Sequence, residues 1–287
     1  IAVIYFFCCT NPSPFLFIVS PTHQGFWIGI YKISSRTCAV ALPAVMFIMN
    51  NSFLGDICAT AVTGIIALSL LRVWEETANR GIFDQKLNRK ITHITIGLVF
   101  MLCWPLFSSS PRGAVLAALV PGINIIKVLL IGFGIWKDEG TVKSMSRYGD
   151  PRELLKGPLY YACSITLACA IYWRTSCIAI AVVCNLCAGD GIADIIGRNF
   201  GKQKLPYNIN KSIAGSISMF IAGFIASIGF MHYFSTFGYI QESWKMSIGF
   251  LITSLVSTLV ESHPLSTDID DNLTVPLACV LIGTFIF

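Results

Sequence analysis

The sequence predicts an all-α, polytopic integral membrane protein with about seven to eight transmembrane helices and its charged motif loops on one face. Hydrophobic residues make up 55% of the 287 residues and charged residues only 12%, about half the charged fraction of a soluble domain. The mean hydropathy is +0.71. From Ile57 onward apolar runs alternate with polar loops, and basic residues concentrate in every second loop.

The N-terminal segment predicts a targeting sequence rather than part of the fold. No acidic residue precedes Asp56, and serines are frequent before it. This composition is typical of organellar transit peptides, although arginine is scarce and the segment is unusually apolar. We therefore expect residues 1–45 to be a poorly ordered plastid transit segment and residues 46–287 to form a single transmembrane domain.

Eight apolar runs follow. A helix needs about 20 apolar residues to cross a bilayer, so the shorter runs must borrow flanking residues. The run around Pro121 and Gly122 and the run that ends near Asp190 are interrupted by polar residues or helix breakers. We expect these two to be broken or partly re-entrant helices, which occur where they line a wet cavity. The runs cover approximately residues 57–74, 91–107, 114–136, 157–172, 176–196, 213–234, 246–260 and 273–287.

The distribution of charge predicts the topology. If every run crosses once, loops 75–90, 137–156, 187–212 and 261–272 share one face. Thirteen bases then lie on that face and only Arg112, Arg174 and Lys245 on the other, a strong positive-inside bias. The thirteen are Arg80, Lys86, Arg89, Lys90, Lys137, Lys143, Arg147, Arg152, Lys156, Arg198, Lys202, Lys204 and Lys211. Nearly all the acids fall on the same face, which predicts one polar active site at one membrane surface.

The stretch Cys187–Ser216 carries the strongest chemical signal. Asp190 and Asp194 are four residues apart, so a helix would present them on one face. Glycines surround them, and a basic cluster with Lys204 and Lys211 follows. Carboxylates suit Mg²⁺, whereas basic side chains and free N–H groups suit phosphate. We predict a metal and polyphosphate site. The stretch contains no Walker A loop, and a solvated polar loop between two helices is the alternative.

Further charged groups stand at the ends of apolar runs. Arg89 and Lys90 precede a run, where they would also serve as topology anchors, and Arg152 lies in a charged loop. Glu261 follows one run and Asp271 opens another. An unneeded charge is disfavoured at such a position, so these residues are candidate site residues.

Together these segments resemble the polyprenol kinase family. The motifs are R-K-x-x-H, G-D-x-R-E-L-L-K-G-P-L-Y-Y, C-A-G-D-G-x-A-D-I-x-G-R, L-P-Y-N-x-N-K-S-x-A-G-S and D-D-N-L-T, in this order. The resemblance covers about residues 52–287. Within the family, which includes phytol kinases and more distantly dolichol kinase and CDP-diacylglycerol synthase, it is closest to the farnesol kinases of plant chloroplasts. His263 departs from the leucine expected there.

The resemblance implies a multi-pass chloroplast-membrane enzyme that phosphorylates a prenyl alcohol, with CTP as phosphoryl donor. Farnesol, geranylgeraniol and phytol all remain open as substrates. A prenyl alcohol partitions into the bilayer and a nucleotide stays in water, so the reaction is expected where an apolar groove meets the charged face. The implied partners are the alcohol, a nucleoside triphosphate and the bilayer, with no nucleic acid.

Roles for the candidate residues follow from the resemblance and the charges together. Asp190 and Asp194 are assigned to Mg²⁺, and Glu261 or Asp271 would orient or deprotonate the alcohol. The phosphate-binding candidates are Arg198, Lys204, Lys211, Ser212, Gly215, Ser216, Arg89, Lys90 and Arg152. Two other functions remain open: a phytol kinase of tocopherol biosynthesis and a cytidylyltransferase acting on a lipid phosphate. A transporter is a remote alternative, because it would distribute polar residues along the spans.

Overall fold

The structure, a computed structural model, describes residues 15–22, 25–32, 52–264, 266 and 269–287. Within the N-terminal segment 1–45, the backbone forms an antiparallel hairpin of β1 (Phe15–Thr22) and β2 (Gly25–Lys32). The remainder of that segment lies outside the described residues. Its targeting role and poor order stay predictions.

Helices form most of the rest of the described chain, which confirms the all-α membrane class. Two 3₁₀-helices cover Trp104–Leu106 and Pro151–Leu155, and two π-helical turns cover Ala168–Tyr172 and Asn185–Gly189. A small antiparallel hairpin is made by β3 (Lys204–Leu205) and β4 (Asn208–Ser212). The α-helices are α1 (Ser52–Asn79), α2 (Gln85–Leu102), α3 (Pro111–Gly132), α4 (Glu139–Met145), α5 (Gly157–Leu167), α6 (Cys177–Cys184), α7 (Asp190–Phe200), α8 (Ile213–Thr236), α9 (Trp244–Ser262) and α10 (Asp271–Ile286).

Short polar side chains set where many of these helices begin. The side chains of Asp84, Ser110, Asp138, Ser212 and Ser243 each accept a hydrogen bond from a backbone N–H in the first turn. Such caps satisfy N–H groups that have no partner within the helix. In an apolar bundle these groups would otherwise be costly to bury.

Five described segments are long and apolar enough to cross a membrane, fewer than the seven to eight predicted. They are Ser52–Asn79, Pro111–Gly132, Pro151–Tyr172, Cys177–Phe200 and Ile213–Thr236. The first turns of α2 carry three bases, and α9 is rich in serine and threonine, which lowers the hydropathy of both. α10 has only 16 residues. These three helices belong to the bundle but do not have the composition or length of independent spans.

The segment Cys177–Phe200 is the centre of the bundle. In its most apolar window 83% of the residues are buried, against 22–39% in the other four candidate spans. α6, the π-turn Asn185–Gly189 and α7 follow one another without a break, so the expected broken or re-entrant helix is not found here. α3 likewise runs through Pro121 without interruption. The buried polar residues Asn185 and Asp190 therefore lie where other helices pack around this segment, whereas residues 198–200 at its end are exposed.

Arg174 joins the loops at the end of the bundle opposite the charged motifs. Its guanidinium donates from Nη1 to the carbonyls of Trp104 (3.0 Å) and Phe107 and from Nη2 to Ser109 Oγ (2.9 Å). It also lies 4.0 Å from the ring centroid of Tyr239. Only 2% of Arg174 is exposed. Arg174 is one of the three bases that the sequence predicts on this face, and its contacts hold three loops together.

Lys127, a charged residue within α3, takes part in a separate buried network. Its Nζ lies 3.0 Å from Asp138 Oδ2, 3.6 Å from Glu75 Oε1 and 2.7 Å from Thr141 Oγ1. The hydroxyl of Thr141 also donates to Glu75 Oε1 at 2.8 Å. This network fixes the short helix α4 against α1 and α3.

We expect Arg174→Met to lower the free energy of unfolding by about 3 kcal/mol, because buried carbonyls lose charged donors. Arg112→Met is the matched control: Arg112 is exposed on the same face, so its loss should change stability by less than about 0.5 kcal/mol. Chemical denaturation in mixed micelles measures both. Equal stability of the two variants would contradict a structural role for Arg174.

Candidate functional site

A cavity of about 530 Å³ opens where the four charged loops meet at one end of the bundle. Its volume is within the range of about 300–1,000 Å³ typical of small-molecule sites. Segments far apart in sequence line it, which confirms that the charged motifs share one face. The lining residues are Lys86, Arg89, Lys90, Arg147, Tyr148, Asp190, Ala193, Asp194, Gly197, Arg198, Gly201, Lys204, Asn210, Lys211, Ser212, Gly215, Ser216, Glu261 and Asp271.

The electrostatic character of this cavity favours an anionic ligand that arrives with a cation. Seven lysines and arginines line it, against four aspartates and glutamates. The excess of positive charge suits phosphate, and the carboxylates offer oxygen ligands for a hard cation. The acidic and basic residues on which the predicted metal and polyphosphate site depends therefore line one cavity, and the site itself stays a prediction.

Asp190 is the most deeply buried acid of the cavity, with 1% of its surface exposed. Lys90 Nζ donates to its Oδ2 at 2.8 Å, and His93 Nε2 lies 3.3 Å from the same oxygen. His93 Nε2 also lies 2.8 Å from the carbonyl oxygen of Leu186. Lys90 and His93 of the R-K-x-x-H motif on α2 thus both contact Asp190 on the central segment.

Two glycines allow this close approach of α2 to the central segment. A Cβ at Gly97 would collide with Cys187 Sγ and with the hydroxyl of Tyr161, and a Cβ at Gly191 would collide with Ile94. Any side chain at either position would push α2 away. Gly191, which the sequence placed near a ligand, therefore acts by permitting helix packing.

A second cluster of opposite charges in the cavity is centred on Lys211. It comes from β4 and forms an ion pair with Glu261, at the end of α9, and its Nζ lies 3.8 Å from Asp271 Oδ2, at the start of α10. Burial alone would lower the pKa of Lys211, but the attraction of Glu261 and Asp271 outweighs this effect and raises it. Lys211 therefore stays positively charged at neutral pH.

Three carboxylates of the cavity form a set with the spacing of metal ligands. Oxygen atoms of Asp190, Glu261 and Asp271 lie within 4.8 Å of one another. Asp194 is not part of this set; its carboxylate pairs with Arg198 at 2.9 Å on the same helix. Three oxygen donors suit Mg²⁺, although Lys90 and Lys211 already neutralise two of them. The predicted pair of Asp190 and Asp194 is thus divided between the deep part and the rim of the cavity.

The glycine-serine end of the motif forms the start of α8. Ser212 Oγ accepts the N–H of Gly215 at 3.1 Å as the helix cap, so the N–H of Gly215 is engaged, whereas the Ser212 hydroxyl acts here only as an acceptor. A Cβ at Gly215 would lie 3.1 Å from the carbonyl oxygen of Ala193, a tight contact that favours glycine there. Ser216 Oγ is buried without a hydrogen-bond partner among the described residues, so its hydroxyl is available to a ligand.

Arg89 separates this cavity from a smaller one and lines both. Its buried Nε has no hydrogen-bond partner in the described part of the chain. Burial lowers the pKa of Arg89, and the neighbouring charge of Arg147 lowers it further. The unpaired Nε–H of this guanidinium is therefore available to donate a hydrogen bond to a bound anion.

Most of the predicted site residues line the cavity, with one exception. Arg152 does not: it is exposed, and its backbone N–H donates to Asp150 Oδ1 at 2.9 Å within the 3₁₀-helix. Sequence reasoning missed Lys86, Arg147, Tyr148 and Asn210 as lining residues. The first two belong to the bases counted on the charged face, but that count cannot tell which of them point inward.

We expect Lys90→Met to lower the free energy of unfolding by about 3–5 kcal/mol, because it leaves the buried Asp190 without its charged partner. Breaking the exposed Asp194 pair by Arg198→Met should cost less than about 1 kcal/mol. Adding Asp190→Asn to Lys90→Met should restore part of the loss. Denaturant titration measures the three variants, and equal losses in the two single variants would contradict this account.

Comparisons with known proteins agree with the motifs. The chain is 63% identical to "Farnesol kinase, chloroplastic" of Arabidopsis thaliana, over 98% of this chain and 96% of that protein. It is 65% identical to "Probable phytol kinase 2, chloroplastic" of Oryza sativa subsp. japonica, over 81% of this chain and 76% of that protein. Identity to "Phytol kinase 1, chloroplastic" of Arabidopsis thaliana is 40%, over 94% and 88% of the two chains.

No protein-family model and no solved structure matches the chain. Identity of 63% along almost the full length of both proteins nevertheless leaves no doubt about descent. The chain therefore belongs to the polyprenol kinase family and is a kinase.

Proposed function

We propose that this kinase transfers the γ-phosphoryl group of a nucleoside triphosphate, CTP in the first instance, to the hydroxyl of a prenyl alcohol such as farnesol. The observation that carries the proposal is the basic cavity with three clustered carboxylates at one end of an apolar helix bundle. The names of the relatives, farnesol kinase and phytol kinase, support the class of acceptor. Their names also support a chloroplast membrane as its location.

The basic side chains supply the site for the triphosphate. Lys204, Lys211 and Arg198 line one part of the cavity, and Arg89 and Lys90 line the part next to α2. Phosphoryl transfer depends mainly on positioning and on neutralising the charge of the transferred group. Basic side chains that are already in position before the substrate binds can stabilise this charge without having to rearrange.

The reaction exchanges one P–O bond for another. The alcohol oxygen forms a bond to the γ-phosphorus while the bond from that phosphorus to the β–γ bridging oxygen breaks. A nucleoside diphosphate leaves, and the alcohol proton passes to a carboxylate. Glu261 and Asp271 both line the cavity, and either could accept it through a carboxylate oxygen that does not bind the cation.

A divalent cation, Mg²⁺ above all, would be held by the deep carboxylates. Asp190 with Glu261 and Asp271 offers a better donor set than Asp190 with Asp194, because the three approach one another and Asp194 is engaged by Arg198. When bound, the cation supplies further neutralisation of the phosphate charge.

The proposal is tested by pairing farnesol, geranylgeraniol and phytol with CTP, ATP, UTP and GTP, using purified protein in lipid nanodiscs. We expect an alcohol monophosphate and a nucleoside diphosphate in equal amounts. Pyrophosphate release with transfer of a cytidylyl group would instead indicate a cytidylyltransferase. No product with any of the three alcohols would overturn the proposal.

The choice of metal ligands can be tested by separate substitutions. Asp190→Asn and Asp271→Asn should each lower kcat by about a hundredfold or more, the scale of one electrostatic contact in the transition state. Asp194→Asn, the matched control on the same helix, should retain activity within about tenfold, because a surface pair contributes little. Mn²⁺ binding followed by electron paramagnetic resonance should fail in the first two variants. Loss of Mn²⁺ binding in Asp190→Asn and Asp194→Asn, with binding retained in Asp271→Asn, would restore the pair of Asp190 and Asp194.

A further inference from the structure

A second cavity lies beside the large charged cavity, which is the proposed phosphate site. It is enclosed by α1, α2, α3, α4, α5 and the start of α10. Its volume is about 50 Å³, so it is too small for a whole nucleotide but large enough for a hydroxyl-bearing carbon. Leu71, Ile96, Met145 and Pro158 form apolar walls. A site that is mainly apolar with a few polar groups is typical of those that orient a small apolar ligand.

One of the polar groups of this small cavity is an acceptor without a donor. Asn272 lines the cavity, is only 3% exposed, and its Oδ1 has no hydrogen-bond partner among the described residues. Its Nδ2 donates to Asp270 Oδ1 at 2.6 Å, which fixes the orientation of the amide. A buried carbonyl oxygen without a donor costs about 1–3 kcal/mol, so a ligand that donates a hydrogen bond there is favoured.

Three features show that the small cavity adjoins the phosphate site: a shared lining residue, two consecutive residues and a short interatomic distance. Arg89 lines both cavities. The consecutive residues Asp271 and Asn272 line the large and the small cavity respectively. His93 lines the small cavity, and its Nε2 lies 3.3 Å from Asp190 in the large one. A group held by Asn272 would therefore face the reacting end of the phosphate site.

We infer that the small cavity binds the hydroxyl-bearing end of the prenyl alcohol, with Asn272 Oδ1 accepting the alcohol O–H. This inference rests on the proposed kinase reaction and adds to it the position of the acceptor. Leu71, Ile96 and Met145 contact the first carbons of the chain, and Arg89, which lines both cavities, contacts the phosphate. Asn272 positions the oxygen, and a carboxylate of the adjoining cavity, Asp271 or Glu261, receives the proton.

The inference is tested with Asn272→Leu, which removes the acceptor and keeps the volume of the side chain. The KM for the alcohol should rise about ten- to a hundredfold, the effect of one lost hydrogen bond to a buried partner. Because the hydroxyl end is common to all substrates, the increase should be the same for geraniol, farnesol and geranylgeraniol. Affinity for the nucleotide, measured by the shift in melting temperature, should not change.

Thr274→Val is the matched control, since Thr274 lies on the same helix, its Oγ1 is also buried without a partner in the described chain, and it lines neither cavity. It should leave the KM for every alcohol unchanged. If Asn272→Leu does not fold, Gly157→Ala provides a second test. Gly157 lines the small cavity, so its added methyl takes up part of the space that the alcohol carbon needs and should raise the same KM.

The outcomes separate the two proposals. A wild-type protein that phosphorylates no alcohol overturns the kinase proposal itself. An active wild type whose Asn272→Leu variant folds and keeps a normal KM overturns only the alcohol site. A KM increase that depends on chain length also overturns it, because the altered contact would then be with the tail. If that variant is unfolded, a normal KM in Gly157→Ala overturns the alcohol site.

Discussion

The arrangement of the site depends on one buried charge, the carboxylate of Asp190 on the central helix. A carboxylate with 1% of its surface exposed is tolerated only when a partner neutralises it. Lys90 is that partner, and it comes from a helix 100 residues away in sequence. The need to bring Lys90 to Asp190 therefore fixes the start of α2 at the mouth of the bundle, and Arg89 with it.

A similar constraint acts on the other side of the cavity, where Lys211 meets Glu261 and Asp271. This contact draws together β4, the end of α9 and the start of α10. Each lysine neutralises acids that would otherwise repel one another, so three carboxylates can lie within 4.8 Å. Both lysines also line the cavity, which leaves them accessible to a bound phosphate. The charges that stabilise the folded bundle are thus the same charges that we propose bind the nucleotide.

The two ends of the bundle differ in how completely their buried charged groups are hydrogen-bonded. At the motif end, acids and bases surround a cavity, and several of their donors and acceptors are left open. At the other end, Arg174 is enclosed by carbonyls, a hydroxyl and an aromatic ring, so only its Nε lacks a partner among the described residues. This contrast agrees with an active site at the first end and a structural contact at the second.

Sequence reasoning identified most of the lining residues but not their groupings. The spacing of Asp190 and Asp194 suggested a shared metal, whereas the structure pairs Asp194 with Arg198 and places Asp190 near Glu261 and Asp271. A spacing of four residues shows that two side chains share a helix face, but it does not show which other helix approaches that face. Ser212 and Gly215 illustrate the same limit: both lie at the site, but their polar groups are used to cap α8.

By itself the sequence determined the membrane class, the single charged face and the family, because composition, loop charge and local motifs are properties of short segments. It did not determine the number of independent spans, since the hydropathy of α2 and α9 depends on where each helix begins and ends. Only the tertiary structure decided that Asp190, Glu261 and Asp271 form one set and that Asn272 faces a second cavity. Those relations arise from helix packing, which places residues from opposite ends of the chain within a few ångströms of one another.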